Sequence, residues 1–226
     1  MTTAIDSAAL YRLQTWLSPS FPIGAYTFSH GLEYAVEARW VSDVGSAQSW
    51  LESLLLHGTG QADLVLVAAG WRATTDESLH RALSVGVAMT ASRELRLETT
   101  AQGDAFLHAV GNAWPCDALT SLRAFDGDKP YPVVVGAVAA AHGVPLDATL
   151  HAYAHAFLSN LVSALLRAIP LGQSDGQRLV ADLEPVVDEA VQRATDTALQ
   201  NVSASTPLSD IASMRHEKQY SRLFRS

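Results

Sequence analysis

Apolar residues recur at intervals of three and four positions along most of the chain, which is the spacing of a helix face that packs on a core. One such segment runs from Asp6 to Leu17, and another from Val44 to His57 has Trp50 and Leu54 on its apolar face. No segment shows the strict apolar and polar alternation of a half-buried strand, and no Asn-Gly hairpin signal occurs. The pattern therefore predicts an all-α fold.

Capping residues, prolines and glycines set the expected helix ends. We predict about ten helices in a bundle that forms a single domain over residues 1–226, with a basic tail at about 203–226. The polar segment 201–210 is expected to be a mobile connection to this tail. After the first helix, the predicted helices cover residues 29–41, 44–57, 61–73, 76–89, 93–110, 131–142, 146–169 and 175–202.

The segment YPVVVGAVAA, from Tyr131 onward, is the one place where a strand competes with a helix. Three consecutive valines favour a strand. No second segment offers a partner strand, and an isolated strand leaves its backbone groups unpaired. We therefore predict a helix here.

Charge is distributed unevenly between the body and the end of the chain. The net charge is −8, but residues 215–226 carry +3, so the first 214 residues carry −11. An acidic body repels the phosphates of nucleic acids and of anionic membranes, which disfavours both as partners. The basic tail is instead typical of a local docking element.

A single cysteine, Cys116, excludes a disulfide framework within the chain and a cysteine-rich zinc site. The N-terminal residues lack the pattern of a secretory signal, and no run of about 18 apolar residues predicts a membrane span. We expect a cytoplasmic protein.

Two motifs are candidates for catalysis. The pentapeptide GQSDG, with Ser174 at its centre, fits a serine-hydrolase elbow, but that motif requires a preceding strand and a helix precedes it here. We favour a capping box between Ser174 and Gln177 at the start of the next helix. Cys116 has no basic neighbour in sequence that would activate its thiol, so we expect it to be inert.

His151 and His155 lie four residues apart, so on a helix they share one face and offer two ligands to nickel or zinc. Two imidazoles alone make a weak site. The alternative interpretation is a pair of partly buried histidines that pack beside Tyr153 and Phe157.

The segment SPSFPIGAYTFSHGLEYAVE, residues 18–37, concentrates prolines, glycines and aromatics at a join between helices. Pro22 and Gly24 predict a stiff, specific turn. Phe21, Tyr26 and Phe28 are too close in sequence to face one core together. The turn is therefore either packed by its own aromatics or part of a protein interface.

The tail SMRHEKQYSRLFRS combines apolar side chains with arginines. If it is helical, then Met214, Tyr220, Leu223 and Phe224 give it a rough apolar edge. Such a segment suits an acidic groove of a partner protein. The alternative is a C-terminal helix that docks on the acidic body of its own chain.

These segments resemble the urease accessory protein family UreF. The resemblance rests on LSPSFPIGAYTFSHGLEYAVE, SRELRLETTAQGDAFL, YPVVVGAVAAAHGVP, HAFLSNLVSALLRAIPLGQSDGQRL and SMRHEKQYSRLFRS, which follow in the family's order from Leu13 to Ser226. It implies an all-α scaffold that is not an enzyme and that forms a homodimer. Its implied partners are the accessory protein UreD (also called UreH), the GTPase UreG and urease apoprotein. Nickel is then handled by the complex and is not held stably as a cofactor.

The resemblance also implies which residues bind partners. The family's mid-chain signature falls on Glu94, Arg96 and Gly103. His30 and Lys218 depart from the residues that the family often has there, Gln and Thr. The residues implied in partner binding are Pro22, Gly24, Tyr26, Ser29, Glu33, Arg215, His216, Gln219, Tyr220, Arg222, Leu223, Phe224 and Arg225. A nickel metallochaperone that uses His151 and His155, and a hydrolase that uses Ser174, stay as alternatives.

Overall fold

A computed structural model describes residues 5–226, so residues 1–4 of the predicted domain lie outside it. Residues 5–226 form twelve α-helices and two short 3-10 helices, with no strand among them, which confirms the all-α prediction. None of these helices is both long and apolar enough to cross a membrane. The α-helices are α1 Ser7–Trp16, α2 Leu32–Glu37, α3 Val44–His57, α4 Thr59–Arg72, α5 Asp76–Ala88, α6 Arg93–Ala113, α7 Ala118–Ala124, α8 Tyr131–Ala141, α9 Leu146–Ala168, α10 Gln173–Asp182, α11 Glu184–Asp196 and α12 Pro207–His216, and the 3-10 helices are Ala25–Thr27 and Leu199–Asn201.

The valine-rich segment forms α8, and it lies at the centre of the bundle against α4. Every residue from Tyr131 to Ala139 is buried, which explains why this helix has no polar face. Two glycines let the helices approach closely. A Cβ on Gly70 would lie 2.4 Å from the carbonyl oxygen of Val133, and one on Gly136 would lie 2.1 Å from that of Val67.

Local capping explains the helix starts that were predicted correctly. The Asp6 carboxylate accepts a hydrogen bond from the amide of Ala9 at 2.6 Å, and Ser92 caps α6 in the same way through Leu95 at 3.1 Å. For α5 the capping residue is Thr75 and not Asp76.

Several predicted helices differ from the observed ones at their ends by up to three residues, and α7 has no predicted counterpart. Two others differ more. The helix expected over residues 29–41 is reduced to α2, because His30 and Gly31 adopt left-handed φ values of 59° and 76° before it begins. The helix expected over residues 175–202 is divided at Leu183, because Pro185 is tolerated only in the first turn of a new helix. The predicted Ser174 capping box is wrong, since Asp175 caps α10 by accepting from the Gly172 amide at 3.0 Å.

The segment 201–210, predicted to be mobile, ends in α12, whose small residues Ser209 and Ser213 are buried. They allow α12 to contact the start of α2, where a Cβ on Gly31 would lie 2.7 Å from the backbone nitrogen of Ser213. The helix ends at His216. The helical apolar edge predicted for the tail is therefore wrong, because Tyr220, Leu223 and Phe224 lie beyond the helix.

Candidate protein interaction surface

The turn after α1 divides its aromatic side chains between the core and the surface. Gly24 has a φ of 73° and starts the 3-10 helix Ala25–Thr27. Phe21 and Phe28 are buried, whereas 61% of Tyr26 is exposed. Two rings therefore pack inward and one faces solvent, and the interpretation as a protein interface stays a prediction.

The end of the chain lies directly on this turn. The amide of Arg225 donates to the carbonyl of Thr27 at 2.7 Å, and the amide of Ser29 donates to the carbonyl of Ser226 at 2.8 Å. Residues 22–29 and 217–226 thus form one continuous surface, which we call the turn–tail surface. The two segments singled out separately in the sequence meet in the fold.

Arg167, on α9, joins the two halves of the turn–tail surface. Its guanidinium carbon lies 3.7 Å from the centre of the Tyr26 ring and 4.3 Å from that of the Phe224 ring, and it donates to the Tyr26 carbonyl at 2.9 Å. Such cation–π contacts favour a fixed arrangement of the rings. Arg167 is not among the residues predicted from the sequence, where its one signal is its charge within the apolar run SALLRAIPL.

Two buried carboxylates hold the tail from beneath. Glu33, on α2, accepts hydrogen bonds from the backbone amides of Leu223 and Phe224 at 2.7 and 3.1 Å. His216 is completely buried, and its two ring nitrogens lie 2.9 Å from a Glu33 oxygen and 2.6 Å from a Glu94 oxygen. We call Glu33, Glu94 and His216 the carboxylate clamp.

Both ring nitrogens of His216 face carboxylate groups, and an imidazolium can donate to both of them. The second oxygen of Glu94 accepts from Arg222 at 2.9 Å. Two carboxylates and two cations then balance, which is how buried charges are accommodated.

Glu98 continues this row of acidic groups along α6. It accepts from the Ser226 hydroxyl at 2.6 Å and lies 3.4 Å from Nδ1 of His30. Burial lowers the pKa of His30, but the charge and hydrogen bond of Glu98 outweigh it, so that the pKa is raised. Nε2 of His30 lies 2.6 Å from the hydroxyl of Thr59.

A pocket of about 230 Å³ opens beside these groups and is lined by His30, Asp63, Glu98 and Tyr153 among mainly apolar residues. Tyr153 donates to the Asp63 carboxylate at 2.8 Å. Burial nevertheless raises the pKa of Asp63 to about 6, because desolvation of the charged form outweighs this hydrogen bond.

The residues implied in partner binding fall into two groups. Ser29, Glu33, His216 and Phe224 are buried, and Gln219 is half-buried, so a partner does not reach the first four while the tail is docked. The exposed group presents a fully exposed Tyr220 and a Leu223 that is 74% exposed, surrounded by cationic side chains. It consists of Pro22, Gly24, Tyr26, Arg215, Tyr220, Arg222, Leu223 and Arg225.

The two candidate metal ligands do not lie in a formed site. His151 contacts Asp147 and Asp188 at 3.5 and 3.1 Å, while His155 lies 3.4 Å from the hydroxyl of Ser159. Within residues 5–226, no group of three or more His, Cys, Asp or Glu side chains is placed to hold a metal ion.

The candidate nucleophiles lack the surroundings that would activate them. Ser174 is exposed in the first turn of α10 and follows a helix and a short loop, not the strand that a hydrolase elbow needs. Cys116 is half-buried, and burial raises the pKa of its thiol, which disfavours the reactive thiolate.

Comparison with known proteins identifies the family of this chain. The sequence model of the UreF family matches residues 41–184. The chain belongs to the UreF family. The urease accessory protein UreF of Rhodopseudomonas palustris strain BisB5 is 50% identical over 228 residues, which cover 99% of this chain and 94% of the relative. That of Bradyrhizobium sp. strain ORS 278 is 46% identical over 224 residues, which cover 98% and 93%.

The UreF family model ends before the tail and begins after the opening turn, so neither half of the turn–tail surface lies within residues 41–184. The full-length relatives align with nearly the whole chain and thus span both halves. Membership in the UreF family implies a role in urease maturation.

Proposed function

We propose that this chain is a non-enzymatic scaffold of urease maturation. It binds the UreD (UreH) accessory protein, recruits the GTPase UreG and acts with them as a chaperone while nickel is inserted into urease apoprotein. The chain works in the cytoplasm as a homodimer, and nickel is cargo of the complex and not a resident cofactor.

The observation that carries this proposal is the turn–tail surface. Tyr220 and Leu223 are exposed apolar side chains at the end of a chain whose apolar residues are otherwise largely packed in one core. Aromatic anchors flanked by arginine are typical of the energetic centres of protein interfaces. The tail is basic on an acidic body, which suits a partner with an acidic groove and disfavours a contact in which two copies of this same surface meet.

The test is capture of UreD by the full chain. Tyr220→Ala with Leu223→Ala should reduce the amount of UreD that co-purifies by more than tenfold, since loss of a central aromatic anchor weakens binding by about 2 kcal/mol or more. The matched control is Leu208→Ala with Ile211→Ala, which removes two exposed apolar side chains from α12, 57% and 43% exposed, outside the turn–tail surface.

Undiminished capture of UreD by the Tyr220 and Leu223 variant would contradict the proposal. Equal losses in both variants would also contradict it, because a general loss of exposed apolar area would then explain the result. UreG is added to each captured complex in a second step, and its retention should follow that of UreD.

A further inference from the structure

We infer that Glu33 is a positioning residue, which fixes the tail for a partner and does not itself contact the partner. Only 8% of Glu33 is exposed, and all three hydrogen bonds of its carboxylate go to the tail or to the residue at its base. The resemblance to the UreF family implied only that Glu33 is among the residues that bind partners.

Within the clamp, Glu33 holds the backbone of the tail and does not bind its side chains. Glu33 accepts from the amides of two consecutive residues, Leu223 and Phe224. Phe224 packs inward with 4% of its surface exposed, whereas Leu223 faces solvent. The hydrogen bonds to Glu33 therefore determine which side of the tail a partner meets.

The other two residues of the clamp, Glu94 and His216, connect Glu33 to the helices of the body. His216 joins Glu33 on α2 to Glu94 on α6, and Glu94 in turn accepts from Arg222. Three consecutive tail residues, 222–224, are thus held by two carboxylates from separate helices. Buried hydrogen bonds to charged groups are the strong ones in proteins, so the clamp orders a segment that lies outside any helix.

The chain contains a matched control on the same helix. Glu37 also bonds to the tail, through the side-chain amide of Gln219, but it is exposed and touches no tail backbone. Glu33→Gln and Glu37→Gln remove the same charge from α2, one turn apart. A direct electrostatic effect on a partner would be larger for the exposed Glu37, whereas a positioning effect is larger for the buried Glu33.

The first readout is hydrogen exchange of the full chain without any partner. In Glu33→Gln, the amides of Leu223 and Phe224 should exchange at least about tenfold faster, because their charged acceptor is lost. In Glu37→Gln they should exchange as in the unchanged protein. Unchanged exchange in Glu33→Gln would overturn the clamp. If Glu33→Gln fails to fold, Glu33→Asp, which keeps a carboxylate on a shorter side chain, takes its place. The amides of Leu223 and Phe224 should then exchange faster than in the unchanged protein but more slowly than expected for Glu33→Gln.

The second readout rests on the proposed function and measures UreD capture in a double-mutant cycle. Glu33→Gln alone should weaken capture at least fivefold, but it should add nothing when Tyr220 and Leu223 are already alanine, because its effect passes through the tail. A further loss in that background would overturn the positioning role. Faster exchange with undiminished capture would also overturn it.

Failure of the proposed function has a different signature. In that case the Tyr220 and Leu223 variant keeps its UreD capture, whatever Glu33→Gln does. The exchange result for Leu223 and Phe224 still decides whether Glu33 holds the tail, since it needs no partner.

Discussion

Two histidines of this chain each lie between two carboxylates, and they differ mainly in burial. His216 is fully enclosed, and its partners Glu33 and Glu94 have side chains only 10% and 7% exposed. His151 is 38% exposed, and its partners Asp147 and Asp188 are 68% and 70% exposed. The arrangement around His216 holds the tail, whereas that around His151 lies on the exposed surface of α9 and α11.

This difference shows why the type of residue alone is a poor guide to function. Water competes for every exposed charge, so ion pairs such as those of His151 contribute little to stability. Around His216 no water compensates for a lost partner, and the surrounding carboxylates depend on it. His151 attracted attention in the sequence through its spacing from His155, whereas His216 is the histidine that organises the turn–tail surface.

The largest expected effect comes from removing each histidine in turn. His216→Ala leaves Glu33 and Glu94 buried and facing each other, so the free energy of unfolding should fall by about 3–5 kcal/mol. His151→Ala should change it by less than about 0.5 kcal/mol. Urea denaturation measures both. Similar losses of unfolding free energy in the two variants would contradict the claim that burial separates the two histidines.

The half-buried carboxylate of Asp63 extends this comparison, because it is bonded to the Tyr153 hydroxyl and not to a histidine. Its pKa of about 6 in the folded protein exceeds that of an unfolded aspartate, near 4. The folded state therefore holds the proton more tightly, and stability falls as the pH rises from about 4 to 6, by about 3 kcal/mol.

Asp63→Asn should abolish this part of the pH dependence and make the protein more stable at pH 7. Unfolding free energies at pH 4.5 and 7 (about the two ends of the expected change) measure it for both proteins. An unchanged pH dependence in Asp63→Asn would assign the effect to other groups.

A smaller difference in stability is expected between alanine substitutions at two glycines near the turn–tail surface. Gly24 and Gly31 both have left-handed φ values, so alanine at either costs about 1–2 kcal/mol. At Gly31 the new Cβ also meets the backbone of Ser213 at 2.7 Å, whereas at Gly24 it meets nothing within 4 Å. Gly31→Ala should lower the melting temperature more than Gly24→Ala, by a difference of several degrees. Equal shifts of the melting temperature in the two variants would mean that α12 moves away from the new Cβ at residue 31 without strain.

The smallest effect on stability is expected where the effect on binding is largest. Tyr220→Ala with Leu223→Ala removes side chains that are already in solvent, so the free energy of unfolding should change by less than about 0.5 kcal/mol. A larger loss in the same urea titration would show that these side chains hold the tail and are not free for a partner.

Most helices could be predicted because their signals are local. Asp6, Asp43 and Ser92 cap the helices that follow them, and the apolar spacing runs without interruption to each helix end. The helix α12 could not be predicted in this way. Its serines resemble a loop in sequence, and the burial of Ser213 depends on Gly31, far away in the chain, which leaves room for it.

The candidate site was predictable in its parts and not in its arrangement. The turn and the tail stood out by composition. The alternative of a C-terminal helix docked on its own acidic body is correct for the docking, but residues 217–226 are not helical. The contact between His216 and Glu33 spans 183 residues, and a single sequence carries no signal for such a pair. Burial, which separates Glu33 from Glu37 and Leu223 from Phe224, likewise follows from the assembled fold.

The most direct test of the central claim is urease activation with two variants side by side. Urease apoprotein, UreD, UreG and nickel are combined with the unchanged chain, with the Tyr220→Ala and Leu223→Ala variant, or with His151→Ala and His155→Ala. Urease activity and bound nickel per urease are then measured. Activity and nickel should both be lost with the tail variant and kept with the histidine variant. Loss with the histidine variant and retention with the tail variant would contradict the claim that this chain works through its turn–tail surface.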